Sequence, residues 1–215
     1  VRAVRVANAG EAAAVLAAGR DVPVLVDPAC TCARELAPDV VVDAILAKRN
    51  VGTRCDMAPV VVGVGPGFTA GIDCHAVVET MRGHTLGRAY YEGSALANTA
   101  VPGLIGGFAG ERVLRAPCDG VFRGVCAIGD HVEQGQAVAF VDGQPIVVML
   151  TGVLRGLVAD GVPVSRGLKC GDVDPRDDAS YCALVSDKGL AVAGGVLEAI
   201  LRVSGALPGG ERREG

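Results

Sequence analysis

The sequence predicts an α/β chain. It reads as an N-terminally truncated Rossmann-like parallel sheet over residues 1–100, then a small β barrel-sandwich hybrid of the lipoyl/biotinyl type over 111–173. A C-terminal helix over 186–203 follows and is expected to pack on the α/β part. Three observations carry this. The runs Val40–Ala47 (VVVDAILA) and Pro59–Val64 (PVVVGV) are continuous rather than alternating, as in strands covered on both faces. The second of them leads straight into a glycine-rich turn, the outline of a ligand-binding strand–turn–helix. Finally, residues 120–136 return 32 positions later as 152–168, with eight of the 17 residues identical, which signals a duplicated structural unit.

Composition narrows the class. The 215 residues are enough for one domain or two. Half the chain is apolar, only 3% is aromatic and Trp is absent, so the core is built of Val, Ala and Leu. That apolar content with a net charge of −4 excludes disorder. No apolar run approaches the ~20 residues of a membrane-spanning helix. The negative balance argues against a nucleic-acid groove, which needs clustered Lys and Arg. Val1 rather than Met opens the chain, no signal peptide follows, and Val1–Ala7 already reads as a strand. We therefore expect a fragment whose natural N-terminus lies upstream.

In order along the chain, residues 9–19 (AGEAAAVLAAG) are Ala-rich with a closing Gly, a short helix. Val22–Asp27 is a further apolar run ending before Pro28. After the turn Gly63–Gly71, the spacing of Val77, Val78 and Met81 predicts a helix over 73–82, and Leu86–Tyr91 predicts a strand ending at Glu92. Together these outline a βαβ unit. Residues 93–110, rich in Gly and small side chains, read as a linker or ordered loop. The two halves of the repeat each read as strand, turn and short segment, and interlocking halves would make the barrel-sandwich. Residues 172–180 are a polar link. Ser186 offers an N-cap for a helix over 187–203, where Gly194-Gly195 costs about 1 kcal/mol per residue and so implies close packing on another backbone. From Ser204 the tail is expected to fray.

Several groups could carry chemistry. Gly65-Pro66-Gly67-Phe68-Thr69-Ala70 fits G-x-G-x-x-A, whose glycines let backbone N–H groups approach a phosphate at a helix N-terminus. Pro66 removes one donor, and Glu92 lies 27 residues beyond Gly65, far for a ribose-binding acid; the alternative is a tight turn with no ligand. On the predicted helix His75 and Glu79 share a face as an acid–base pair, or else belong to its solvated stripe. Lys48-Arg49-Asn50 directly follows a strand, where a basic pair can reach a ligand crevice and hold phosphate; a surface loop is the alternative. The eight cysteines form no CxxC pair and read as small thiols in a reducing cytoplasm, Cys30-Thr31-Cys32 being the one close pair that could take a metal or redox role. No residue is assigned as a metal ligand, because short Cys/His spacings are missing. His131 sits at a turn of the repeat, and no nucleophilic triad is supported. A swinging-arm carrier would need a Lys at the hairpin 141–145 (VDGQP), which has none.

The stretch from Val40 to Glu92, with GPGFTAGIDCHAVVETMRGH at its centre, resembles the bacterial selenium-dependent molybdenum hydroxylase system proteins, the YqeB-type accessory family. The repeat segment and the closing SDKGLAVAGGVLEAIL are similar as well, so the resemblance runs from about Pro23 to Leu201. It implies a cytoplasmic accessory factor for maturing selenium-requiring molybdenum hydroxylases, whose own activity the family leaves open. Family members begin with a further strand carrying a G-A-G-D-L-type nucleotide loop, which this sequence lacks. Lys48, Arg49, Asn50, Gly65, Gly67, Thr69, Asp73, His75, Glu79, Arg82 and His84 match the family's motifs. We expect Lys48, Arg49, Asn50, Gly65, Gly67, Thr69 and Asp73 to bind an anionic ligand: a nucleotide, the molybdenum cofactor or a selenium species. His75 and Glu79 are the expected acid–base residues. The expected partners are a molybdenum hydroxylase, its maturation machinery or further copies of the chain, with no nucleic acid and no membrane. The competing readings are an NAD(P)-dependent oxidoreductase using His75 and a non-catalytic scaffold that docks a hydroxylase through the barrel.

Overall fold

The computed structural model describes residues 1–99, 103 and 105–207. The linker expectation for 93–110 falls partly outside them, at 100–102 and 104, as does the tail beyond Leu207. The chain divides into two compact units, one formed by Val1–Asn98 together with residues from Asp187 onward, the other by Thr99–Ser186.

The first unit opens with a parallel pair, β1 (Ala3–Val6) and β2 (Val22–Leu25), joined through α1 (Ala9–Ala18). α1 is set at both ends by local chemistry. Asn8 accepts the Glu11 N–H at 2.9 Å, and Glu11 reaches back to the Ala7 N–H at 2.9 Å. Gly19 closes the helix in the left-handed region at φ 64. A short helix, α2 (Cys32–Leu36), leads to a four-stranded sheet in the order β3 (Val40–Asp43), β4 (Val60–Val64), β5 (Ala76–Val78), β6 (Ala89–Tyr90). β3, β4 and β5 are parallel, and β6 returns antiparallel.

Every residue of β4 is buried. One face, with Val60, Val62, Ala76 and Val78, lies under Val192, Val196, Ala199 and Ile200 of α3 (Asp187–Val203). The other face, with Val61 and Val77, lies under Phe68, Ala70, Cys74 and Ala95. This two-sided burial is what the unbroken valine run requires. At Gly195 a Cβ would stand 1.9 Å from the Gly87 carbonyl oxygen, so the helix touches the 87 backbone there; Gly194 faces open space.

The helix expected over 73–82 is absent. In its place stand a turn, the strand β5 and a loop. A parallel crossover usually takes ~12 residues or more, with a helix, yet here residues 65–75 make it without one. The reason is occupancy: loop residues Phe68, Ala70 and Cys74 already cover the face that a crossover helix would fill. Val77 and Val78, which fit a helical stripe in sequence, instead sit on opposite faces of the sheet. The predicted strands 40–47 and 86–91 shrink to Val40–Asp43 and Ala89–Tyr90.

The second unit holds two four-stranded antiparallel sheets. One runs β11 (Gln144–Val147), β10 (Ala137–Val141), β8 (Gly120–Gly124), β13 (Pro163–Val164); the other runs β7 (Val113–Arg115), β14 (Lys169–Asp174), β12 (Gly152–Leu157), β9 (His131–Val132). Shifting by 32 residues carries each strand of one repeat half onto its counterpart and exchanges the two sheets, so each sheet takes strands from both halves. The hydrogen bonds obey the same exchange. Gly129 donates to Leu154 while Gly161 donates to Phe122, and Gly135 donates to Val148 while Gly167 donates to Ala116. Phe122, Val138, Leu154, Cys170 and their neighbours fill the single core between the sheets.

Candidate functional site

Two loops leave the carboxyl ends of β3 and β4 and meet. Asp43, the last residue of β3, is buried; it accepts the Thr53 hydroxyl and the Ile45 N–H at 3.0 Å. That folds 44–53 back on itself, with Leu46 at φ 59 and Lys48 at φ 64, left-handed conformations uncommon for side-chain-bearing residues. Asn50 secures the turn, accepting from Gly52 and Thr53 N–H at 2.9 and 2.8 Å. Its amide nitrogen then donates to Asp73 at 3.0 Å, and the other Asp73 oxygen accepts the Thr69 N–H at 2.7 Å. Asp73 therefore couples the 50-loop to the 69-loop.

The glycines of the turn serve this contact. Gly67 has φ 112, and a Cβ on it would stand 2.6 Å from the Cα and N of Arg49. Gly65, at φ 85, lies against Thr80. Gly67→Ala is accordingly expected to cost about 2 kcal/mol or more, from the left-handed conformation and the backbone collision together. Urea unfolding would measure the loss, and hydrogen exchange should quicken first at residues 49–53.

His75 and Glu79 do not form the helix-face pair, because no helix is there. His75 takes the Val61 N–H on Nδ1 at 2.9 Å, so Nε2 carries its proton. Glu79 is fully buried. One of its oxygens accepts from the Thr80 and Met81 N–H groups, both at 2.7 Å, and the other accepts from Leu96 at 2.8 Å. Both oxygens are thus given to backbone donors, and the residue braces the end of β5 against the strand of chain at 96. Arg82 makes a two-point contact with Asp187 at 2.7 and 3.1 Å, fastening the start of α3, while His84 is exposed.

Sequence reasoning missed Lys188, in the first turn of α3. It is half-buried, and its ammonium is held below the usual lysine value, by burial first and then by the positive charges of Lys48 and Arg82; Glu79 works the other way. The positive charges of Lys48 and Arg82 thus act on Lys188 from other parts of the chain, Arg82 itself being paired with Asp187. Only the fold brings Lys188 within their reach, and nothing near it in sequence marks it. A groove of about 720 Å³ lies elsewhere, beside α2, lined by none of the expected site residues.

The chain is 53% identical over 180 residues to the Escherichia coli protein described as "Uncharacterized protein YqeB". It is a homologue of YqeB. The match takes in 84% of this chain and 33% of YqeB, so the chain spans about one third of the length of that relative. No family model matches. Among solved structures, an aspartoacylase family protein from Mesorhizobium loti is similar over 30% of this chain and 25% of its own, at 19% identity and a TM-score of 0.27, too slight a likeness to bear on fold or activity. Among the described residues, no helix is long and apolar enough to cross a membrane, and no group of three or more His, Cys, Asp or Glu side chains is arranged to hold a metal ion.

Proposed function

We propose that this chain is the anion-binding part of an accessory factor that matures selenium-dependent molybdenum hydroxylases. The carrying observation is that the charge of Lys48, next in sequence to the Arg49 backbone on which Gly67 closes, acts on half-buried Lys188 from an element far apart in sequence. Like charges brought together and partly desolvated are costly, and a bound anion removes that cost. The position, beyond the carboxyl ends of parallel strands, is where open α/β sheets take ligands. A nucleotide, the molybdenum cofactor or an oxyanion of selenium all offer the negative charge this rim would hold. Asn50, Thr69 and Asp73 shape the rim, and Arg49 contributes backbone beneath Gly67. The resemblance to the YqeB-type family supplies the pathway.

A Rossmann-type dinucleotide site would need a helix starting at the glycine turn, and that helix is absent, so the NAD(P)-dependent reading loses its motive. The scaffold reading keeps one observation. The two interlocked sheets of the second unit, which we read as a barrel-sandwich hybrid, turn an Asp142-Gly143 hairpin outward where a carrier would present Lys, which suits docking of a hydroxylase rather than carriage.

Calorimetric titration of the whole chain with ATP, the molybdenum cofactor and selenite tests the proposal. At least one should bind, and Lys48→Ala and Lys188→Ala should each weaken it about tenfold, ~1.4 kcal/mol. Because the Lys188 value is lowered in the free protein, an anion should raise it and binding should take up protons. Affinity should therefore fall as pH rises. Binding that is absent, or unchanged in both variants, would remove the site.

A further inference from the structure

We propose that Cys30 and Cys32 form a redox-active dithiol that exchanges with a small anionic disulfide held in the groove beside α2. The groove, about 720 Å³, has Cys30 in its wall, an apolar floor that includes Ala33 and Met57, and Arg34 and Arg54 among its lining. Cys30 is exposed and sits at φ 52, a left-handed conformation costly for a residue with a side chain. Thr31 is helical, at φ −65 and ψ −29. The two together bend the segment. An extended Cys-x-Cys would part its Cα atoms by up to ~7 Å, at the outer edge of the ~4.4–6.8 Å a disulfide spans; a bend brings them within it.

Only the helical Thr31 separates the two cysteines, and both Asp27 and Cys30 bear on the Cys32 thiol, raising it. Asp27 is itself fixed, accepting the Cys32 N–H at 2.7 Å and the Thr31 hydroxyl at 3.1 Å. Burial, then Asp27 and Cys30, push Cys32 up to about 11, so it stays protonated while the exposed Cys30 meets the substrate. This division, an exposed attacking thiol and a more protected resolving one, is what two-step exchange needs.

The steps balance. The Cys30 thiolate, its proton lost to water, attacks one sulfur of the disulfide, and the other sulfur leaves as a thiolate that takes a proton from water. Cys32 then loses its proton to water as it attacks Cys30. The Cys30–Cys32 bond forms, and the second substrate thiolate leaves and takes a proton from water. One disulfide is reduced to two thiols, and one protein dithiol is oxidised. Arg34 favours a disulfide bearing carboxylates, while Arg54 is paired with Asp56 in the same lining.

Oxidised glutathione is the probe, applied to the whole chain and read by peptide mass spectrometry. The wild type should lose the mass of two hydrogens, confined to the peptide holding Cys30 and Cys32. Cys32→Ser should instead accumulate one glutathione on Cys30, whereas Cys30→Ser should take none at Cys32. The six other free cysteines are internal comparisons. Arg34→Glu should slow the reaction with glutathione disulfide about tenfold but leave that with uncharged hydroxyethyl disulfide unchanged. Glutathione spread over the thiols without preference, or no trapped adduct in Cys32→Ser, would overturn the dithiol. Equal rates with both disulfides in Arg34→Glu would overturn the groove as the place of binding.

Discussion

Glu79→Ala is expected to destabilise the first unit by about 3–5 kcal/mol, the cost of stripping a buried, fully bonded charge from its partners. The carboxylate has no exposure and accepts from three backbone N–H groups, those of Thr80, Met81 and Leu96. Alanine leaves those donors unmatched. Glu79→Gln separates charge from shape. Its amide oxygen can keep Thr80 and Met81, but its NH2 then faces the Leu96 N–H, donor against donor. We expect about 1–3 kcal/mol for that variant, with the Leu96 amide exchanging quickly while the β4 amides stay protected. Urea unfolding gives the totals and hydrogen exchange the location. Equal protection at Leu96 in the glutamine variant and the wild type would show that the brace is unimportant. A second consequence tells this residue from a catalytic one. Removing Glu79 withdraws a negative charge that supports the ammonium of Lys188, so anion affinity at the rim should fall at high pH more than at neutral pH.

What could be read in the sequence follows the range of the forces involved. α1 was legible because its alanines and its closing Gly19 are its own, and α3 because its apolar spacing is internal to it. The exchange of strands between the sheets of the second unit was legible because a duplicated unit carries its partner's pattern within itself. The two-sided burial of β4 showed in its unbroken valines. The missing crossover helix was not legible. Val77, Val78 and Met81 satisfy a helical stripe and a short buried strand equally, and Asp73 taking the Thr69 N–H imitates a helix cap. The choice was made by Phe68 and Ala70, which fold over the sheet and leave a helix no face to cover. In the candidate site, Lys48–Asn50 and Gly65–Asp73 could be picked out as strand-end loops. Lys188 could not, since only the packing of α3 on β4 and β5 brings it to them.

Asp174→Ala is expected to cost the second unit about 3 kcal/mol, toward the low end for breaking a buried ion pair, because its arginine partners reach water. Asp174 ends β14 with no exposure of its side chain; Arg155 and Arg176 are 23% and 44% exposed. One oxygen accepts from the Arg176 N–H and Nε at 3.1 and 2.9 Å, and the other accepts at 2.6 Å from Arg176 and 3.4 Å from Arg155. The side-chain bond to Arg176, ahead of every other cause, holds the carboxyl at about 2 against an ordinary 3.8. A depressed folded value means stability that is complete above 3.8 and disappears as pH falls through about 2. The gap between wild type and Asp174→Asn should therefore be flat at neutral pH and close in that acid window, followed by urea unfolding from pH 6 down to about 2. The repeat supplies its own control. Asp142 stands 32 positions earlier, accepts the Val121 N–H at 3.1 Å, but is exposed at a hairpin. Asp142→Ala should cost about 1 kcal/mol or less at neutral pH. If the two positions respond alike, the buried arginine pairing is not what separates the halves of the duplicated unit.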